Sequence, residues 1–412
     1  MARSRPFLLW LLLLLLAAGS AGRAGANSVF SVGGLGEPQL EEPARLRALG
    51  GAGAAERGPR AFSLVNPATM ADVERLIFEG TVVPAFRRID ASHYPTETGA
   101  ETTVPSLRLV VALPGRIVLG AGYLSATNAQ FRIDRTDSTD VLSRLQIEGS
   151  GGMNFGRLSL ARRISSMLAV GVDCDLISGS YREIWHRTFP DSILASSRDT
   201  LDVEYERNPR FRFGALFSRH QYSLGAVVET ERALPLSTAQ KTAGARRVES
   251  RGDLTLPPGY AIGASVPMGW RNRMVAQYRR AGWSRSSLES DLVDFRAQER
   301  LSIGFERGHP PVGQNVRGMA KLPLRVGGYY LRWPDLMPAA GATDITAGSA
   351  AVDEWAVTLG TGLRSADHGG AVDFSIEAGS RGSLDKLGAR EHFVRLGFSL
   401  QVSDETWKGS IH

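Results

Sequence analysis

Residues 168–176 read LAVGVDCDL, and this stretch alternates between two kinds of side chain. Every second position from Leu168 to Leu176 is apolar, whereas Asp173 and Asp175 belong to the other set. Successive side chains of a β-strand point to opposite faces of the sheet. The stretch therefore predicts a strand with one apolar face and one polar face.

The same period of two recurs along most of the chain. It is clearest in Arg75–Arg87, Leu201–Glu206, Val372–Glu377 and Val394–Val402. Further strands are predicted at Ser106–Leu113, Arg116–Leu124, Ser143–Phe155 together with Arg157–Ala161, Arg210–Phe217, Tyr222–Thr230, Tyr260–Val266, Met274–Tyr278, Arg300–Glu306, Leu324–Leu331 and Glu354–Arg364. Together they make about fourteen strands, separated by turn sequences such as Leu113-Pro114-Gly115.

Two kinds of all-β protein show this pattern. A soluble periplasmic β-protein buries its apolar face and exposes the polar one. A transmembrane antiparallel β-barrel turns its apolar face to lipid and its polar face to the lumen. The even strand count favours the barrel, as does the alternation of short turns with longer polar connections at Ala126–Asp140 and Tyr181–Arg198. Aromatic residues near strand ends also fit an interfacial girdle, namely Phe86, Trp283, Trp333, Trp355 and Trp407.

The N-terminus has the pattern of a secretory signal peptide. Arg3 and Arg5 precede the apolar run Phe7–Ala18, and Ala24-Gly25-Ala26 fits a cleavage site before Asn27. The run is shorter than the ~20 residues that a membrane-spanning helix needs, although an uncleaved anchor is the alternative. The predicted organisation is a signal peptide at 1–26, an N-terminal segment at 27–69, a barrel at 70–407 and a tail at 408–412.

The segment 27–69 is rich in glycine and alanine and lacks strand periodicity. Glu41–Ala55 predicts a short helix that ends in glycines. The interior of a barrel with this many strands is wider than wall side chains alone can fill. We therefore expect the segment to plug the lumen.

Composition excludes several functional classes. The 412 residues carry a formal charge of +6, which falls to about +3 once Arg3, Arg5 and Arg23 leave with the signal peptide. So mild a charge gives no case for nucleic-acid binding. Cys174 is the single cysteine, so no intramolecular disulfide can form. The seven histidines show no metal-site spacing, and no nucleophile motif is present, so we expect no catalytic residue, metal or cofactor.

Charged residues on the polar strand faces have two interpretations. They could be paired catalytic carboxylates, or they could line a wet lumen and pair with arginines, which is the interpretation that we favour. The predicted lumen charges are Arg75, Glu79, Asp173, Asp175, Asp202, Glu204, Arg325, Asp373 and Glu377.

Several motifs, in order, resemble the FadL family of outer-membrane transporters for hydrophobic compounds, in a divergent branch. Gly50, Gly51 and Gly53 in the run 47–54, followed by Asn66-Pro67-Ala68, resemble that family's plug segment. The other resembling motifs are Val104-Pro105-Ser106, Leu256-Pro257-Pro258, Gln277-Tyr278 with Gly282-Trp283-Ser284, and Leu322-Pro323-Leu324-Arg325-Val326-Gly327. One departure is the ending Ser410-Ile411-His412, because such barrels often end on an aromatic residue that the barrel assembly machinery reads.

The resemblance implies an outer-membrane monomer that lets small hydrophobic molecules, such as long-chain fatty acids or aromatic hydrocarbons, diffuse inward. It also implies a lateral opening at a kinked third strand, here Arg116–Leu124, where Gly120 and Gly122 would permit the bend. The alternative function is a barrel that acts as scaffold or partner in secretion or surface assembly. Implied partners are a hydrophobic small molecule, outer-membrane lipid and the barrel assembly machinery.

Overall fold

The computed structural model describes residues 28–32, 35–92, 94–137, 142–190, 194–285, 294–308, 322–342, 346–364 and 369–404. The predicted signal peptide, the tail and Trp407 lie outside these ranges. None of the helices within them is long and apolar enough to cross a membrane.

Strands make up most of the described chain. They are β1 (Glu37–Pro38), β2 (Leu76–Ala91), β3 (Tyr94–Leu113), β4 (Ile117–Ser125), β5 (Thr127–Asn128), β6 (Phe131–Asp137), β7 (Ser143–Arg163), β8 (Leu168–Thr188), β9 (Ser197–Tyr205), β10 (Pro209–Arg219), β11 (Tyr222–Glu229), β12 (Arg232–Lys241), β13 (Val248–Leu256), β14 (Gly259–Pro267), β15 (Asn272–Ala281), β16 (Asp294–Phe295), β17 (Gln298–Arg307), β18 (Leu324–Pro338), β19 (Ser349–Arg364), β20 (Gly370–Ser383) and β21 (Ala389–Asp404). The helices are α1 (Ala44–Arg47), α2 (Leu384–Leu387) and 3-10 turns at Val29–Ser31, Pro67–Asp72 and Trp283–Arg285.

These strands form a closed antiparallel barrel of fourteen, as the periodicity predicts. Several barrel strands are interrupted, so that β4 and β6, β9 and β10, β11 and β12, β13 and β14, and β16 and β17 each make one. The last strand, β21, pairs with β2 from Leu76↔Asp404 to Ala91↔Ala389 and closes the wall. The wall therefore has no free outer edges at its first and last strands.

The two ends of the barrel differ. At the short-turn end, connections span only 114–116, 164–167, 220–221, 268–271 and 365–369, with 308–323 as the long exception. At the long-loop end they include 189–196 and 339–348. Short turns of such barrels face the periplasm.

Side chains alternate across the wall as predicted. Leu158, Val357 and Leu359 are 57%, 60% and 47% exposed on the outer face, where lipid covers apolar groups. Asp173 and Asp175 on β8 point inward and are buried. The wall thus carries its charges inside, opposite to a soluble sandwich.

Two parts of the sequence interpretation are wrong. The polar connections predicted at Ala126–Asp140 and Tyr181–Arg198 are largely strand, because β6, the end of β8 and β9 extend the sheet beyond the barrel. Trp333 is fully buried and donates to Glu354 at 3.1 Å, and Trp283 packs against Phe295, so neither belongs to an outer girdle. A large amphipathic ring suits a buried polar interior as well as an interface.

Candidate functional site in the barrel interior

Residues 35–73 run inside the barrel and touch strands all around it. Helix α1 ends in Gly50 and Gly51, whose φ angles of 69° and 81° reverse the chain. Gly50 then donates to Thr358 Oγ1 at 3.2 Å, and Thr358 donates back to the Ala48 carbonyl at 2.9 Å. The predicted glycine motif therefore docks directly on β19.

Glycines of the wall face this segment and let the two backbones touch. A Cβ on Gly225 would lie 1.8 Å from the Ala54 carbonyl oxygen, so no larger residue fits there. Register pairs Gly225 with Gly263 on the next strand, so the contact continues around the wall. We call this set the glycine belt: Gly171, Gly214, Gly225, Gly263, Gly304, Gly327 and Gly360. The sequence interpretation missed it, although glycine within strand patterns was the available signal.

Hydrogen bonds fix the segment at both ends of the predicted motif. Gln277 accepts from the backbone N–H groups of Gly53 and Ala54 at 2.9 and 2.7 Å. Asn66 donates to the carbonyl of Ala54 at 2.7 Å, and its side-chain oxygen accepts from Ala68 at the start of the 3-10 turn. Pro67 follows at a position that needs no N–H donor.

One cluster of buried charges surrounds Glu37. Its carboxylate lies 2.6 Å from Arg87, 3.0 Å from Arg381 and 2.7 Å from Arg395. Burial disfavours the charge, but the three arginines outweigh it and hold the pKa of Glu37 well below its ordinary value. Glu37 therefore ties the segment to three barrel strands at once.

A second cluster joins the segment to β15, β17 and β18. Glu56 lies 3.2 Å from Arg45 and 2.8 Å from Arg273, and Glu306 contacts both arginines. Arg325 continues the chain of ion pairs, at 2.8 Å from Glu306 and 2.6 Å from Asp373.

A third cluster lies on β7, β8, β10 and β11. Arg157 binds Asp175 at 2.6 Å and lies 3.7 Å from Asp173, while Arg212 approaches Glu229 at 3.3 Å. Both arginines also donate to the Leu64 carbonyl on the segment. Asp173 and Asp175, predicted to line a wet lumen, thus pair with arginines that also bind the backbone of the segment.

Glu42 differs from Glu37 because its pKa is raised instead of lowered. It accepts hydrogen bonds from the Ser63 hydroxyl and from the N–H groups of Leu64 and Val65, with no arginine among these donors. Burial raises its pKa above the ordinary 4.5.

The predicted lumen charges do not all lie together. Asp173, Asp175, Arg325, Asp373 and Glu377 join the clusters described here, and Glu79 accepts from Gln401 at 3.3 Å. Asp202 and Glu204 lie instead on the outer face of β9, while Val203 and Tyr205 point inward. The apolar face turns inward there because the sheet has risen beyond the barrel. Arg75 precedes β2 at the short-turn end.

The third barrel strand leaves the wall, but not at the predicted glycines. Gly120 and Gly122 hold regular register with β3 and β7, so the bend predicted there is absent. The break begins after Ser125, and β5 pairs with β1 of the N-terminal segment instead of β3. Beyond Ser106 and Leu124, the described residues show no ladder between β3 and β6.

Glycines of the neighbouring strands accommodate this break. Gly151, Gly152 and Gly179 have φ angles of 109°, 145° and 140°, and a Cβ on Gly152 would lie 2.2 Å from the Thr127 carbonyl oxygen. The pair Gly151-Gly152 was the signal for an irregularity, because glycine within a strand often marks a bulge.

Charged and polar groups line the break. Asn128 donates to Glu101 at 3.1 Å, and Arg87 binds both Glu101 and Glu37. All four side chains are buried or nearly so. The break in the wall is therefore filled by polar groups rather than by an apolar passage.

Three cavities lie in the part of the interior that the structure describes. They measure about 10, 50 and 90 Å³ and lie around Gln39 on the segment. A larger open cleft of about 940 Å³ lies outside, on the curved extension formed by β7, β8, β9, β12 and β13. Its outer-face lining includes Ser180, Arg182, Asp202, Glu204 and Arg251.

No group of three metal-ligating side chains comes together within the described ranges. Cys174 is half-buried on the outward set of β8.

The comparisons with known proteins agree with a barrel. A family model described as BamG matches residues 4–409. No curated protein matches the chain in sequence.

Solved structures share the fold at low sequence identity. A FadL homologue of Pseudomonas aeruginosa is 15% identical, with a TM-score of 0.59 over 88% of this chain and 98% of that one. The toluene transporter TodX of Pseudomonas putida is 15% identical, with a TM-score of 0.55 over 90% and 98%. The monoaromatic hydrocarbon channel CymD is 15% identical, with a TM-score of 0.51 over 88% and 97%.

Proposed function

The chain belongs to the BamG family, and from this premise we propose that it is an outer-membrane barrel acting as a partner or scaffold in envelope assembly. The proposal takes it to be exported by its signal peptide, to span the membrane as a monomeric barrel and to perform no catalysis. The family name is consistent with the barrel assembly machinery as partner.

The filled interior is the observation that carries the proposal. Sites for small molecules usually enclose ~300–1,000 Å³ with a mostly apolar lining. The three cavities around Gln39 measure about 10, 50 and 90 Å³, and buried ion pairs surround the segment. On this proposal residues 27–69 are a fixed plug, and the barrel works through its surface.

The open cleft is the surface that we propose for the partner. It presents hydroxyl and charged groups on a concave sheet, and Arg182 pairs with Asp202 there. A polar rim suits a reversible protein contact better than a lipid-facing wall does.

Co-purification tests this function. Tagged full-length protein from outer membranes should retain components of the assembly machinery, and depletion of the protein should lower the amounts of other outer-membrane proteins. Arg182→Glu together with Arg251→Glu should weaken the retained complex, whereas Lys386→Glu, outside the cleft, should not. Retention of no assembly component by the wild type would refute the proposal.

Passive uptake of hydrophobic compounds is the second candidate, favoured by the break between β3 and β6. It predicts faster entry of toluene or fatty acid into proteoliposomes than into empty ones. It also predicts that deleting residues 27–60 leaves a heat-modifiable barrel with larger conductance. Uptake without any effect of depletion on other barrels would favour this candidate over the first.

A further inference from the structure

Asp335 is a buried carboxyl group that no role described above uses. It lies on β18 at the long-loop end, roughly 10 Å along the strand from the exposed Arg332–Glu299 pair, so it stands above the lipid-facing wall. Its side chain is 1% exposed, and in the part of the chain that the structure describes neither carboxylate oxygen has a hydrogen-bond partner. A buried carboxylate without a donor is costly in its charged form.

The surroundings of Asp335 are mostly apolar. Leu35 of the N-terminal segment, Tyr205 on β9 and Phe295 on β16 lie near it and belong to one buried hydrophobic cluster. Tyr205 is the titratable group among these three. Burial raises the pKa of Asp335 to about 7, against smaller opposing effects of the Leu35 N–H and Arg296.

Arg296 is the cation that approaches Asp335, and other groups already bind it. Its guanidinium lies 2.5 Å from Asp353 on β19 and donates to the carbonyl groups of Trp333 and Val352 at 3.0 and 2.8 Å. These partners hold Arg296 without any contribution from Asp335. The ionised form of Asp335 is therefore left without a compensating bond.

The short strand β16 docks on β18 at this residue. Phe295 pairs with Asp335 in register, and the Arg296 N–H donates to the Pro334 carbonyl at 2.7 Å. The other residue of β16, Asp294, is exposed to solvent. Asp335 lies within a bulge, where the register of β18 against β19 shifts. The contact with β16 therefore forms where β18 is not held in a regular ladder with β19.

The same contact borders the interior cavity of about 90 Å³. Trp283, Pro334 and Gln298 line that cavity, and Trp283 packs against Phe295 with the ring centroids 5.8 Å apart. Loosening β16 would therefore open the cavity towards the long-loop end.

We propose that Asp335 makes the docking of β16 on β18 sensitive to the pH outside the cell. Neutral Asp335 permits the contact, and its ionisation weakens the contact because a charged carboxylate requires water. In the opened form Asp335 regains the ordinary pKa of 3.8. The stability of the contact is therefore fully present below 3.8 and is lost as the pH rises through the folded-state pKa of about 7.

Hydrogen–deuterium exchange of the full chain in detergent, read by mass spectrometry, tests the proposal. After correction for the intrinsic exchange rate, a peptide containing Phe295 and Arg296 should exchange roughly tenfold faster with each pH unit above 3.8, and should level off above about 7. Peptides from β10 and β11 are the internal reference and should show no such rise.

Asp335→Asn should abolish the rise, because an amide does not ionise in this range. The matched control Asp385→Asn changes an exposed carboxyl at the same end of the barrel and should keep the rise. Heat-modifiable migration on gels shows whether each variant is folded, and Asp335→Leu, with the same expected result, replaces Asp335→Asn if that variant does not fold.

Three results would overturn the proposal. The first is a rise of equal slope in Asp335→Asn, and the second is no rise in the wild type. The third is an equal rise in the β10 and β11 peptides, which would show that pH acts on the whole barrel instead of on the contact between β16 and β18.

Discussion

Glu56 and Arg273 form an ion pair at 2.8 Å although 217 positions separate them in the chain. Glu56 is buried, and Arg45 of its own segment binds it from the other side. The pair fastens the N-terminal segment to β15 near the short-turn end of the barrel wall.

Removing the charge of Glu56 should destabilise the protein. Glu56→Gln leaves Arg45 and Arg273 buried with only Glu306 between them, so we expect a loss of about 3 kcal/mol in the free energy of unfolding. Urea unfolding in detergent, followed by gel migration, measures it. Glu249→Gln breaks an exposed pair with Arg247 and should cost about 0.5 kcal/mol or less. Equal losses would contradict the structural role of Glu56.

Stability should fall in acid because of this carboxylate. Burial alone would raise the pKa of Glu56, but Arg273 and Arg45 outweigh it and hold that pKa below 4.5. A lowered folded-state pKa gives stability that is fully present above 4.5 and is lost as the pH falls through the folded value. Urea midpoints from neutral pH downward should drop less in Glu56→Gln than in the wild type. Parallel curves for the two proteins would exclude Glu56 as a source.

Glu42 should act with the opposite sign. Burial raises its pKa above 4.5, so its contribution is present below that value and is lost as the pH rises through the raised one. Glu42→Gln should therefore flatten the decline in the unfolding midpoint above pH 4.5. An unchanged slope would show that Glu42 ionises without cost in the folded protein.

The glycine belt should tolerate no side chain where the segment touches it. Gly225→Ala brings a Cβ to 1.8 Å from the Ala54 carbonyl oxygen and should cost about 1–3 kcal/mol. Gly156→Ala is the matched control, because its nearest contact would be 3.9 Å away. Unfolding midpoints and trypsin cleavage within residues 35–73 give the readout. Comparable stability of the two variants would place the segment away from β11.

Depth in the membrane should govern the cost of a charge on the outer face. Leu359 and Leu363 share one strand and one face and are 47% and 48% exposed. Leu359→Arg, at the middle of the apolar belt, should cost ~2–4 kcal/mol, whereas Leu363→Arg near the short-turn end should cost ~0–1 kcal/mol. Unfolding from lipid vesicles compares them. A larger cost at Leu363 would move the bilayer relative to the barrel.

The alternation of apolar and polar residues was enough to predict most of the strands and their two faces, because one apolar face per strand is a local property of the sequence. It predicted the outward set of β8 and the inward Asp173 and Asp175. It wrongly predicted that Asp202 and Glu204 face the lumen, since the alternation is the same on both sides of the point where the sheet leaves the membrane. The prediction that Trp333 belongs to an outer girdle was wrong for a related reason, because an aromatic residue near a strand end does not reveal which face of the sheet it occupies.

The interior was harder to predict than the wall. The glycine and Asn-Pro-Ala motifs identified residues that dock the segment, but the partners of Gly50 and Gly53, Thr358 and Gln277, lie more than 200 positions away. No local pattern specifies such pairings. The break in the third strand depends on β1 competing for β5, which is likewise a long-range contact.

The N-terminal segment also constrains how the barrel can be built. It is synthesised before every barrel strand, yet Ser399, on the last strand, accepts from the Ala44 N–H at 2.7 Å, and Arg395 of that strand binds Glu37. The segment cannot reach its final contacts until β21 is made. Once β21 has paired with β2, the folded segment 35–73 could not pass through the closed wall. We therefore expect the sheet to close around its own filling, so that a machine inserting this chain would handle a half-open sheet with the segment already in place.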